Sequence, residues 1–172
     1  MTGLEPWRVA YARQARADLQ ARDQLLADPT LPESQQLHFL QMACEKLCKA
    51  HLCAHGVDPD VLRRSHAFIS VHLPTIALQQ FARKSDGRRG AGSWVIAAIR
   101  SLARRIELLA PSVDDGGRIP ANCEYPWVAP DGSVRAPCDH HFAIDLLYDR
   151  AGRHLLKVVH TAITELIESG RR

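Results

Sequence analysis

No apolar run in this chain approaches the ~20 residues a membrane-spanning helix needs, and no basic, apolar and then small-residue leader opens it. The expectation is a soluble, cytoplasmic protein without membrane association. Charge of one sign is also missing. Lysine and arginine total 22 against 19 aspartates and glutamates, a formal net charge of +3, so any phosphate-binding surface has to be local. The cysteines do not come as an even set. Five of them without a secretory signal favour reduced thiols over a disulfide framework. Equally absent are a phosphate-cradling glycine loop, a G-x-S-x-G elbow and a paired-carboxylate motif, which argues against nucleotide-hydrolysing and common hydrolase chemistries. There is no internal repeat and no sign of a second domain. At 172 residues and 46% hydrophobic content the chain reads as one domain, 1–172, with a single core.

What is present is helical periodicity broken by proline and glycine. A first helix is expected over residues 5–27, with Pro6 in its first turn and Trp7, Tyr11, Ala15, Leu19 and Leu26 on one face. The segment 28–32 turns the chain into a second helix from Glu33, which ends at Gly56 ahead of Asp58-Pro59. These two should form an antiparallel hairpin. Ser65 caps a third helix that Pro74 ends or kinks before Leu78 and Phe81 resume the pattern. Ser93 caps a fourth, residues 94–109, turning Val95, Ile99, Leu102 and Ile106 inward and closed by Pro111. Between 114 and 137 prolines exclude helix, and Asp131-Gly132 between two extended segments predicts a short hairpin packed by Tyr125 and Trp127. Asp139 caps a helix to Leu147, and a last amphipathic helix follows Gly152. The fold class is all-α: an up-and-down helical bundle with a short β-like hairpin before the C-terminal helices.

Within the second helix, Leu37, Leu40, Cys44, Leu47 and Ala54 form an apolar stripe, and Ala43 and Ala50 leave room for a neighbouring helix. Glu45 and Lys49, at i and i+4, read first as a solvated pair and second as a charge that orients a dimer. Cys44, Cys48, His51 and His55 lie along the same helix. Four ligands on one straight helix cannot close a tetrahedron, so no metal and no cofactor is expected, and the thiols read as small buried groups.

The run QMACEKLCKAHL, residues 41–52, places Gln41, Ala43, Glu45, Lys46, Lys49, Ala50 and Leu52 in a pattern that resembles the second helix of the HEPN domain family. In that family a Ser/Thr-His pair opens the next helix, as Ser65-His66 does here, so the resemblance covers residues 7–73. It implies a HEPN-like bundle that forms a homodimer and acts as an interaction or RNA-associated module. It also implies a place in a toxin-antitoxin or defence system, with RNA or a nucleotidyltransferase-type protein as partner. His66 itself reads as a histidine bonded within the bundle rather than a base.

Many HEPN members are metal-independent endoribonucleases whose signature is an arginine followed four to six residues later by histidine. Arg135 with His140 or His141 fits that spacing, and the chemistry is reasonable, since a guanidinium clamps phosphate while an imidazole exchanges protons near neutrality. Endoribonuclease activity is therefore the alternative function. Three departures bear on it. Ala136-Pro137 replaces the usual polar neighbour and puts Arg135 in extended chain, Glu124-Tyr125-Pro126 stands where other members carry Arg-Tyr-Pro, and Phe142 stands where toxin members offer a tyrosine for nucleotide addition. The other reading of Arg135 and His140 is a surface hairpin residue and a first-turn helix residue, with Asp139 as counter-charge or cap. The most basic local region is Lys84, Arg88 and Arg89 with Arg100, Arg104 and Arg105, read either as a solvated face or as an RNA-binding patch.

Overall fold

The computed structural model describes residues 3–84, 93–113 and 121–170. Among them the chain is an all-α bundle with one two-stranded hairpin. The helices are α1 (Leu4–Leu26), α2 (Glu33–Ala54), the single turn α3 (Pro59–Leu62), α4 (Ile69–Lys84), α5 (Ser93–Glu107) and α6 (Arg150–Ser169). Short 3-10 turns occupy Pro111–Val113, Pro137–Asp139 and Asp145–Leu147. The strands β1 (Trp127–Val128) and β2 (Val134–Arg135) pair antiparallel, Trp127 opposite Arg135. None of the described helices is long and apolar enough to cross a membrane.

The core forms where the apolar stripes of α2, α4, α5 and α6 meet. Leu37, Leu40 and Leu47 of α2, Leu73 of α4, Ile99 and Leu102 of α5 and Leu155 of α6 are all essentially inaccessible to solvent. Ala43 and Ala50 are fully buried, as close helix approach requires, and the inward residues of α5 are those its periodicity names. Ala54 lies exposed instead, because α2 ends there and leaves its stripe beyond the neighbouring helix.

The first helix departs most from its reading. Trp7 and Leu26 are exposed, and the buried face is Ala12, Ala15 and Leu19 together with Arg8, Asp18 and Arg22. Charge accounts for the rotation. Asp18 accepts from Gln14 Nε2 at 2.9 Å and faces Lys46 Nζ across the α1–α2 interface at 3.1 Å. Arg22 donates to Asp23 at 2.8 Å, and the Trp7 ring is covered by the Arg63 guanidinium 5.3 Å from its centroid.

Glu45 and Lys49 are not a solvated pair. Both are buried, with Nζ 2.6 Å from Oε1, and Glu45 also accepts from Gln41 Nε2 at 3.1 Å and from His66 Nδ1 at 3.1 Å. Lys49 lies 5.6 Å from the centre of the Phe68 ring. One carboxylate thus ties α2 to the 63–68 connection. Burial alone would raise the Glu45 pKa, but the Lys49, Gln41 and His66 contacts outweigh it and hold the group below its ordinary value.

That connection also moves two helix starts. Asp58 caps α3 by accepting from Asp60 N at 2.8 Å, and α4 begins at Ile69 rather than at Ser65. Its first turn is finished from another helix, since buried Glu107 of α5 accepts from Ser70 N at 3.1 Å. Pro74 lies inside α4 without ending it, at the cost of the one helix hydrogen bond its missing N–H would make. No α-helix runs from Asp139 to Leu147. Extended chain joins two 3-10 turns there, and α6 starts at Arg150, where Asp149 accepts from the N–H groups of Ala151 and Gly152. Gly152 therefore lies within the first turn of α6, pressed against the Leu147 carbonyl.

The buried charges are testable in two ways. Lys49→Met leaves Glu45 buried without its cation and should cost about 3–5 kcal/mol in chemical denaturation, whereas Glu45→Met with Lys49→Met recovers much of the loss. A Lys49→Met protein as stable as the parent would contradict the ion-pair account.

The second test concerns pH. Burial first, and then the charges of His55, His72 and Arg83, lower His51 from 6.5 to about 4. Its proton therefore binds the unfolded chain first, so stability is complete above about pH 6.5 and falls as pH drops toward 4. Glu45, also depressed, adds to the loss once pH falls below its unfolded value. Thermal unfolding followed from pH 7 to 4.5 should show a falling midpoint, with a shallower fall in His51→Asn.

Candidate nucleic-acid interface

The turn that the sequence places at Asp131-Gly132 positions the first candidate. Gly132 adopts a φ of +81°, Gly132 N donates to Ala129 O, and Asp131 accepts from both the backbone and the hydroxyl of Ser133. Arg135, exposed on β2, donates to Asp131 Oδ2 at 3.0 Å. The Ser133 hydrogen bonds, followed by the Arg135 contact, press the Asp131 pKa down to about 2, so the carboxylate is ionised and is no proton donor at neutral pH.

The two histidines part company. His140 is half-buried in extended chain, its ring edge-to-face with Trp127 at 5.0 Å and with Phe142 at 4.8 Å between centroids. His141 turns away and donates from Nδ1 to Glu33 Oε2 at 3.1 Å. Trp127 packs inward as expected, but Tyr125 stays exposed, because the Asn122 side chain captures the backbone N–H groups of Glu124 and Tyr125 in a turn that points the tyrosine outward. Glu124 lies 3.8 Å from His38 Nδ1.

Arg135 and His140 line one cleft of about 330 Å³, together with Trp127, Asp131 and Pro130. On its other side His140 walls a second cleft of about 200 Å³, which Phe142, Leu109 and Arg105 also line. Arg105 is anchored there by donating to Ala143 O at 2.7 Å. It belongs to the solvent face of α5, where Trp94, Arg100 and Arg104 are also exposed. Trp94 is covered by the Arg150 guanidinium at 5.2 Å and meets the His154 ring at 6.2 Å. Of the remaining basic candidates, Arg88 and Arg89 lie outside the described residues, and Lys84 is the last residue of α4.

Glu33 is the site residue the sequence reading missed. From the first turn of α2 it accepts from His141 Nδ1, from Phe142 N at 3.2 Å and, on Oε1, from the Tyr148 hydroxyl at 3.1 Å. Burial and then this carboxylate raise the tyrosine to about 12, so it remains the donor. An acid at a helix start has an ordinary explanation in the helix dipole, and its partners lie more than a hundred residues away, so no local spacing signals it.

The four buried thiols contribute no nucleophile to this surface, and the fifth, Cys138, is exposed in the turn between Arg135 and His140. Cys44, Cys48, Cys53 and Cys123 are buried, and burial raises Cys44 and Cys123 to about 12. Among the described residues no three His, Cys, Asp or Glu side chains converge as a metal site requires. No family model, curated protein or solved structure matches this chain.

Glu33→Ala should free the 138–148 segment. The expected result is a loss of about 1–3 kcal/mol in stability and faster limited proteolysis within that segment, with helical circular dichroism unchanged. Proteolysis at the parental rate would remove Glu33 from the role of clamp.

Proposed function

We propose that this chain is a HEPN-like, RNA-associated interaction module that engages single-stranded RNA through α5 and the His140 clefts. The observation that carries this reading is the shared wall: His140 separates a cleft edged by Arg135 from one edged by Arg105, and Arg105 continues into the arginine face of α5. Phosphates would track Arg100, Arg104 and Arg105, and an unstacked base would rest against the apolar cleft walls beside His140. The HEPN resemblance of residues 7–73 supports a homodimeric module, and a nucleotidyltransferase-type protein is a second partner consistent with it.

Ribonuclease activity is the second reading, favoured by Arg135 and His140 lining one cleft. Strand cleavage without a metal needs one group to remove a proton from the 2′-hydroxyl and another to protonate the leaving oxygen. Within one chain the cleft offers His140 alone, since His141 is held by Glu33, and Asp131, ionised and already accepting from Ser133 and Arg135, is no proton donor and only a weak base. Binding is thus the better-supported role for a single chain, and cleavage would require a second copy to supply the missing group.

Fluorescence anisotropy with a labelled single-stranded RNA tests the proposal. The parent should bind with a salt-sensitive affinity, and Arg100→Ala with Arg104→Ala should reduce the slope of log K against log salt by about 1.4, at ~0.7 for each phosphate left unneutralised. Absence of binding at low salt, or a slope unaffected by the double change, would overturn it. Cleavage that survives chelator and falls about 10²–10⁴-fold in Arg135→Ala and His140→Ala would establish the enzymatic reading, and a monomer in sedimentation would remove its shared-cleft form.

A further inference from the structure

Trp94 stands in the first turn of α5, beside the start of α6, and lines neither of the His140 clefts. It is 48% exposed. The Arg150 guanidinium lies over its ring at 5.2 Å from the centroid, and the His154 ring meets it at 73° with centroids 6.2 Å apart. An indole this open gains little from burial, and these two contacts instead fix its orientation.

Both helices that meet at Trp94 are basic toward solvent. On α5, Arg105 comes eleven residues after Trp94, three turns on, and so stands on the same face ~16 Å away. Between them that face carries only Ala97, Ala98 and Ser101, whose short side chains leave the surface low. Arg104 is exposed at one side of this strip, and Arg105 opens onto the second His140 cleft at its far end. On α6, exposed Arg150, Arg153 and Lys157 share an arc of ~100° with His154. No acid falls within that arc, and the neighbouring Asp149 is engaged in capping the helix.

We infer that Trp94 is the stacking platform for one unpaired base of a bound RNA strand, which runs from the His140 clefts past Arg105 to Trp94 and meets Arg153 and Lys157 beyond it. The inference rests on the RNA reading above and adds to it the residue that distinguishes single from paired strands. Every base has a π-face, so an exposed indole among cations holds a strand without reading its sequence, whereas a duplex keeps its bases stacked inside and cannot use it. Arg150 behind the ring adds a cation–π contact and holds the indole in place before the base arrives, which lowers the ordering cost of binding.

Fluorescence anisotropy with a mixed-sequence oligoribonucleotide of about 12 nucleotides, single-stranded or annealed to its complement, tests the inference. Trp94→Ala should weaken the single strand about 5- to 150-fold, the equivalent of one base–aromatic stack. The slope of log K against log salt should stay at the parental value, since no phosphate contact is lost. Trp94→Phe should retain most of the affinity, and Trp94→Ala should leave duplex binding unchanged. Arg153→Ala with Lys157→Ala should lower the single-strand slope by about 1.4, at ~0.7 for each phosphate released. A Trp94→Ala protein within about a factor of two of the parent on the single strand, while Arg100→Ala with Arg104→Ala still lowers the slope, would overturn the inference and leave the RNA reading standing. Equal losses on single strand and duplex would make Trp94 a support for α5 and would overturn it as well. A parent that binds neither RNA would remove both readings together.

Discussion

The bundle depends on a carboxylate that water does not reach. Glu45 is surrounded by Lys49 and Gln41 of its own helix and by His66, and the last contact joins the middle of α2 to the connection that leads into α4. Burial of an ion pair is not itself a large source of stability, because two desolvated charges recover only about what they lose. Its value lies in geometry. An apolar α2 could rotate or slide against its neighbours and still bury leucine, but a charged α2 has only one register in which Glu45 meets His66 while Lys46 meets Asp18. With that register set, Leu37, Leu40 and Leu47 face the core, and the far end of α2 presents His51 and His55 to a cavity beside α4 and α6.

At the other end of the same helix Glu33 performs a comparable task for irregular chain. The segment from Pro137 to Tyr148 contains no α-helix and has few backbone partners of its own. It is held instead by one carboxylate at the start of α2, by Arg105 on the Ala143 carbonyl and by the rings of Trp127, His140 and Phe142. Two acids on one helix thus hold two stretches of irregular chain against it, residues 63–68 and 138–148.

What the sequence discloses follows from the range of the forces involved. Helix ends and the hairpin are legible because proline, glycine and the Asp131-Gly132 pair act within a few residues, and the inward face of α5 because its apolar residues repeat every turn. The face of α1 is not, because Asp18 is buried against Lys46 of another helix, and aromatic Trp7 finds a cation at the surface instead of a place in the core. The 138–148 segment imitates a helix in sequence because Asp139 has the chemistry of a cap, whereas the contacts that extend the chain there come from Glu33 and Arg105. In the candidate interface, Arg135 and His140 are nameable from spacing, but the ring cage around His140 and the turning away of His141 depend on tertiary neighbours.

The distribution of the five cysteines has a practical side. Four are enclosed, and burial keeps those thiols protonated and slow to react, while Cys138 is exposed in the turn between Arg135 and His140. A maleimide dye or spin label offered to the native protein would attach at that position with little competition. The natural chain therefore carries its own reporter handle two residues from the ring that divides the clefts, and local motion there can be followed spectroscopically without altering any other residue.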